Sequence, residues 1–269
     1  MTSRHLGGRR TPTTARRASA PPLAYVPLGE RPLRRLPQLL LGLALYGFSI
    51  AVLIRASLGA NPWSVLHEGV ARRTPLSFGG ANAVLGVLVL LLWIPLRQRP
   101  RLGTVANVVV VAVMSDVGLA LVPAYQDLLV RAGLLGGAVV LNGLSVAVYV
   151  GARLGPGPRD GLMTGAAEVT GRSLRFVRTL IELTVLAAGW LLGGTVGAGT
   201  VLYAVAVGPV TQVFVARAAY RGVGEAPVRD TPSPARDTPS PARGASSPPR
   251  DTHPSPRTRP FRRNRMKRL

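Results

Sequence analysis

The chain has 269 residues, of which 47% are hydrophobic, and carries a formal net charge of +22. The charge sits mostly in two polar tails around an apolar middle, so a bilayer is the expected partner and nucleic acid is not. There is no cysteine, which excludes disulfides, thiol catalysis and thiolate metal sites.

Residues 1–35 are rich in Arg, Pro, Thr and Ala and lack apolar periodicity, so they read as a disordered cytosolic tail. No cleaved leader is expected, because the first apolar stretch starts late and Arg55 follows it. Six segments then have the length and apolarity of spanning helices: 36–54, 77–96, 104–124, 132–150, 176–192 and 198–216. The fifth carries Arg178 and Glu182 inside it. Basic residues set the orientation. With both termini inside, 29 of the 33 fall on the cytosolic side and four (Arg55, Arg72, Arg73 and Arg131) on the other. The expected location is the inner (plasma) membrane, multi-pass, with both termini cytoplasmic. Residues 221–269 form a second disordered tail, in which Arg229, Arg236, Arg243, Arg250 and Arg257 recur every seven residues among prolines. Its basic end, from Arg257, reads either as a contact for anionic lipid or as a solvated tail.

The apolar middle is written twice. Shifting residues 39–120 by 96 places them on 135–216 without a gap, with 25 identities in 82 pairs. Many matches are Gly, Pro, Ser and Thr, which apolar bias alone would not align. The transmembrane domain, 36–220, therefore divides into repeat 1 (about 36–124) and repeat 2 (about 132–220). Three spans per repeat invert the second copy, which gives a pseudo-two-fold axis in the membrane plane. The expected fold class is all-α: a polytopic bundle of six spans as a 3+3 inverted repeat.

The loops after spans one and four are equivalent. One reads Leu58-Gly59-Ala60-Asn61-Pro62-Trp63, and the other Leu154-Gly155-Pro156-Gly157-Pro158-Arg159-Asp160. Each leads into a fairly apolar stretch too short to span. Two readings stand: re-entrant half-helices whose N-terminal N–H groups meet an anionic ligand, or interfacial helices that cap the bundle.

Charged and polar groups inside the membrane are the candidates for function. Arg178 and Glu182 share a helix face and are either a self-neutralising pair or a binding or proton-coupling pair. Asp116 in span three is the equivalent of Gln212 in span six, and reads either as part of a shared site or as an acid capped by hydroxyls or backbone. Arg159 and Asp160 flank the second half-helix; Asn61 and Trp63 begin the first. His67 and Glu68 lack further ligands for a metal site. Asn82, Asn107 and Asn142 are expected to hydrogen-bond between helices. No catalytic constellation, metal site or cofactor motif is present, so an enzyme is not expected.

The paired Leu-Gly motifs, with Gly103-Thr104, Asn107, Asp116, Arg178, Glu182, Gly208-Pro209 and Gln212, resemble the bacterial YczE/YyaS/YitT-type integral membrane proteins. The similarity covers about 36–220 and departs at Ser64, where the family pattern has Asp. It implies a polytopic inner-membrane protein and brings no substrate or reaction. Two functions follow as expectations. The first is a small-solute permease with its site near the midplane, formed by Asn61, Trp63, Asp116, Arg159, Asp160, Arg178, Glu182 and Gln212. The second is a membrane scaffold or accessory protein that recruits a partner through the basic tail. A homo-oligomer is compatible with either.

Overall fold

The structure, a computed structural model, describes residues 25–27 and 29–219. Among the described residues there are eight helices and no strands. They are α1 (Pro32–Ala56), α2 (Pro62–Arg73), α3 (Phe78–Leu92), α4 (Leu102–Leu121), α5 (Leu128–Gly151), α6 (Pro158–Thr170), α7 (Leu174–Leu191) and α8 (Ala198–Ala218). The readings of 1–24 and 220–269, including the lipid contact of the basic end, lie outside the described residues.

The sequence repeat is also a repeat of helices. The first four start at 32, 62, 78 and 102, and the last four at 128, 158, 174 and 198. Every start lies 96 residues after its partner. Local chemistry explains the shared starts. Pro62 and Pro158 each occupy the first turn, where a missing N–H costs nothing. Ser77 and Ser173 each cap a helix, accepting from Gly80 N and Phe176 N. Thr104 and Thr200 reach back to the backbone N–H of Arg101 and Gly197.

The six expected spans all fall on helices, but not all six are long and apolar enough to cross alone. Four of the described helices are: α1, α4, α5 and α8. At 15 residues α3 is about 22 Å long, short of the roughly 30 Å hydrocarbon core. It ends where the chain turns through 93–97, at Pro95. It counts as a span only together with α2, to which it is bent by 114°. The other exception, α7, holds Arg175, Arg178 and Glu182. The helix α1 also begins earlier than expected, because residues 32–35 join it and Arg35 is fully buried.

Reciprocal contacts join the two repeats. Gly103 N donates to Leu154 O at 3.1 Å, and Gly199 N to Leu58 O at 2.8 Å. Arg35 donates to Ala152 O at 2.9 Å and Arg153 O at 3.1 Å. Its equivalent, Arg131, donates to Ala56 O at 2.9 Å and Ser57 O at 2.6 Å. Each arginine thus holds the carboxyl end of the other repeat's first helix, where the backbone carbonyls lack helical partners and the dipole favours a cation. Between these ends α1 and α5 pack on one another, with α4 against α1 and α8 against α5. Gly42 makes the central approach possible: a Cβ there would lie 2.6 Å from Tyr149 N. Gly47 and its equivalent Gly143 do the same for α4 and α8.

The two Leu-Gly motifs are the joints of this exchange. Gly59 (φ 109°) and Gly155 (φ 131°) both occupy the region that favours glycine. A Cβ on Gly59 would also lie 2.6 Å from Gly197 N. Gly59→Ala is expected to lower unfolding stability by about 2 kcal/mol, from backbone strain and overlap. Gly133→Ala, a helical position with nothing within 4 Å, is expected to leave it unchanged or raise it slightly. Thermal unfolding of the two full-length variants in detergent checks the contrast.

Candidate functional site

The N-termini of α2 and α6 meet at one cavity of about 530 Å³, a size typical of small-ligand sites. Asn61, Pro62 and Trp63 enter it from the first half-helix, and Gly157, Pro158, Arg159 and Asp160 from the second. Arg178 and Glu182 of α7 and Gln212 of α8 also line it. Seven of the eight residues expected from the sequence therefore share one space.

Asp116 is the exception and is corrected here: it is not a cavity residue. Its Oδ1 accepts from Gly79 N at 2.7 Å, and its Oδ2 from the Ser77 hydroxyl at 2.6 Å. The carboxylate sits at the positive end of α3 and fastens α3 to α4. An acid inside a span need not face a ligand when an unpaired helix N-terminus lies across from it.

The two half-helix ends differ in what they offer. In α2 the Asn61 side chain accepts from Ser64 N at 3.0 Å and caps the helix. In α6 the N-cap is Gly157, which supplies no side-chain cap. The Asp160 carboxylate, in the first turn, accepts from Gly157 N instead, and the N–H groups of Arg159 and Asp160 stand at this end beside the cavity. A second set of contacts holds that end in place. Trp93 Nε1 donates to Pro158 O at 3.0 Å. Its ring lies so close to Gly161 that a Cβ there would be 2.0 Å from Cζ2. In the other repeat the sizes are exchanged, and Gly189 packs on the backbone of Val65 and Leu66. The large-small pair is kept, with its members swapped.

Charges of both signs line the cavity. Arg178 Nε donates to Glu182 Oε1 at 2.9 Å. The Arg159 guanidinium lies 5.0 Å from the centre of the Trp63 ring and 3.4 Å from Asn82 Oδ1. Behind Trp63 and Arg159 is a chamber of about 20 Å³, also lined by His67, Asn82 and Asn107. That is room for one water. Trp63 Nε1 and His67 Nδ1 are buried there without a protein partner. Glu68 plays a different part from its neighbour. It accepts from Thr195 N at 2.7 Å and pairs with Arg72 at 2.6 Å, tying the end of α2 to the α7–α8 loop. Among the described residues no cluster has the composition of a metal site.

Sequence reasoning missed the tyrosines. Tyr46, Tyr149 and Tyr203 line the cavity, and the Tyr203 hydroxyl donates to Asn142 Oδ1 at 2.8 Å. Asn142 in turn donates to Ser49 Oγ at 2.8 Å, the interhelical role expected of it. The usable signal lay in the repeat: Tyr46 is the equivalent of Asn142, and Asn107 of Tyr203.

Residues 33–216 match a family of unknown function, DUF6198. An uncharacterized protein of Haemophilus influenzae is 36% identical over 177 residues, which cover 66% of this chain and 81% of that protein. The uncharacterized membrane protein YczE of Bacillus subtilis is 34% identical over 173 residues, 64% of this chain and 80% of YczE. YyaS of the same organism, also uncharacterized, is 25% identical over 179 residues, 65% and 89% of the two chains. No solved structure matches. The resemblance to YczE and YyaS carried by the paired Leu-Gly motifs thus extends along the helical domain. The chain belongs to the DUF6198 family and is a polytopic, all-helical membrane protein.

Proposed function

We propose that the protein is a small-solute permease of the plasma membrane, with its site in the cavity between the N-termini of α2 and α6. In this reading the repeats are inverted, α2 and α6 are re-entrant half-helices, and both chain termini are cytoplasmic. The reciprocal bonds between repeats support a two-fold relation, and an odd number of spans per repeat supports its inversion. Non-helical backbone at membrane depth is tolerated where it lines a cavity, as the Leu58–Asn61 and Leu154–Gly157 segments would.

The observation that carries the proposal is the convergence of seven polar or aromatic candidates on one space. Arg159 and the α6 N-terminus suit an anionic group on the solute. Asp160 and Glu182 suit a cationic group or a coupled proton. Uptake by proteoliposomes offered a bacterial metabolite extract, read by mass spectrometry, tests it. One or more solutes are expected to accumulate with the full-length protein and not with Arg159→Gln. Equal profiles for the protein and for empty liposomes would contradict the proposal. With a substrate in hand, Glu182→Gln is expected to lower uptake at least tenfold, about 1.4 kcal/mol of coupling or binding. Uptake unchanged by that variant removes Glu182 from the site.

The scaffold reading keeps one observation in its favour, the seven-residue Arg-Pro periodicity of the C-terminal tail. Deleting residues 222–269 separates the two: a permease keeps its uptake, and a tail-dependent scaffold loses its partner.

A further inference from the structure

We propose that the cavity takes an amphiphilic anion from the bilayer, through a lateral opening between α7 and α8. This rests on the reading of the cavity as a solute site and adds the chemical class of the ligand.

The repeats differ again where their last two helices meet. In repeat 1, α3 packs on α4; in repeat 2, α7 makes no comparable contact with α8. The same helix face accordingly has two fates. On α4, Val108, Val111, Ala112 and Ser115 are buried. Their equivalents on α8, Ala204, Val207, Gly208 and Thr211, line the cavity. The sequence builds this difference in. Gly79 and Gly86 let α3 approach α4: a Cβ on Gly79 would be 2.2 Å from Ala112 O, and one on Gly86 3.2 Å from Val108. The equivalent residues of α7 are Arg175 and Glu182, whose size and charge oppose the same closure. Asp116, which fastens α3 to α4, is replaced by Gln212.

Apolar residues flank the opening on both helices. Leu180, Leu183, Val201, Val205 and Val213 are exposed on them, as lipid-facing residues are. A ligand that arrives this way comes from the hydrocarbon. The lining has the two matching parts. The α6 N-terminus and Arg159 receive an anionic head, as already argued. Val146, Val150, Met163, Ala204 and Val207 receive an alkyl chain.

An alkyl phosphate series tests this on the full-length protein in nanodiscs of neutral lipid. Each buried methylene contributes about 0.8 kcal/mol, so affinity is expected to rise roughly fourfold per carbon from methyl to butyl phosphate. Gly208 has nothing within 4 Å of its Cβ position, so Gly208→Leu adds bulk at the opening. That variant is expected to lose most of the gain from the chain. Affinity independent of chain length overturns the lateral proposal and leaves the solute site standing. A chain-length gain that survives in Gly208→Leu also overturns it, because bilayer partitioning then explains the gain. Failure of every member to bind sinks the anion site with it. The chain has no cysteine, so Gly208→Cys is a single thiol; cross-linking of that variant to a second copy would make the opening a protein interface and overturn the proposal.

Discussion

Replacing Arg35 by lysine is expected to cost at least about 3 kcal/mol of unfolding stability, one of the two largest single-residue effects in the chain. Its guanidinium donates to five backbone carbonyls: Val26, Pro27, Glu30, Ala152 and Arg153, at 2.6–3.1 Å. The side chain is fully buried, so no water can replace a lost donor without rearrangement. Lysine presents three donors from a single point, whereas the fork of arginine reaches carbonyls on opposite sides. At least two carbonyls would lose their donor, each at about 1.5 kcal/mol or more for a charged partner. Arg131→Lys, with carbonyl bonds to Ala56 and Ser57 and partial exposure, is expected to cost about half as much or less. Thermal unfolding of the two variants in the same detergent reads the difference. An equal, small loss in both would mean that Arg35 does not hold the end of α5.

Gly161→Ala is the second large effect and reaches the site. The added methyl would lie 2.0 Å from Trp93 Cζ2. A buried indole cannot swing aside cheaply, so the overlap is expected to cost about 3 kcal/mol. The shift would also break the Trp93 Nε1–Pro158 bond that fixes the start of α6. Solute binding should therefore weaken even where the protein still folds. Pairing the change with Trp93→Leu provides the control. The smaller side chain removes the clash, so the double variant should be more stable than the sum of the single losses by about 1 kcal/mol or more. Additive losses would show that Gly161 and Trp93 do not touch.

Particular residues show how much of this was legible in the sequence. The starts of the short helices α2 and α6 were, because Leu58-Gly59 and Leu154-Gly155 align with a proline four positions after each leucine, and a proline in the first helical turn marks a start. The convergence of Asn61, Trp63, Arg159, Asp160, Arg178, Glu182 and Gln212 followed from the same symmetry. Arg35 was not legible. It lies four residues before the matched stretch 39–120 and sits among other arginines, so a structural cation looked like part of a tail. Asp116 was left between two readings, a ligand site or a capped acid, because its partners, Ser77 and Gly79, are distant in sequence. The exchange of Trp93 and Gly161 for Gly189 and Val65 keeps one larger and one small member across a contact, which no single position reveals. The gap between α7 and α8 was written as Arg175 and Glu182 against Gly79 and Gly86. Its meaning depends on α3 and α4 packing together, which only the fold shows.

The central claim is that the cavity at the α6 N-terminus binds an anionic group. Thermal stability of the full-length protein in nanodiscs, screened against soluble and amphiphilic anions, zwitterions and cations, tests it most directly. An anion at about 100 times its dissociation constant is expected to add roughly 2.7 kcal/mol, and Arg159→Gln is expected to abolish the gain. Stabilisation by no anion, or stabilisation that Arg159→Gln leaves intact, would contradict the claim.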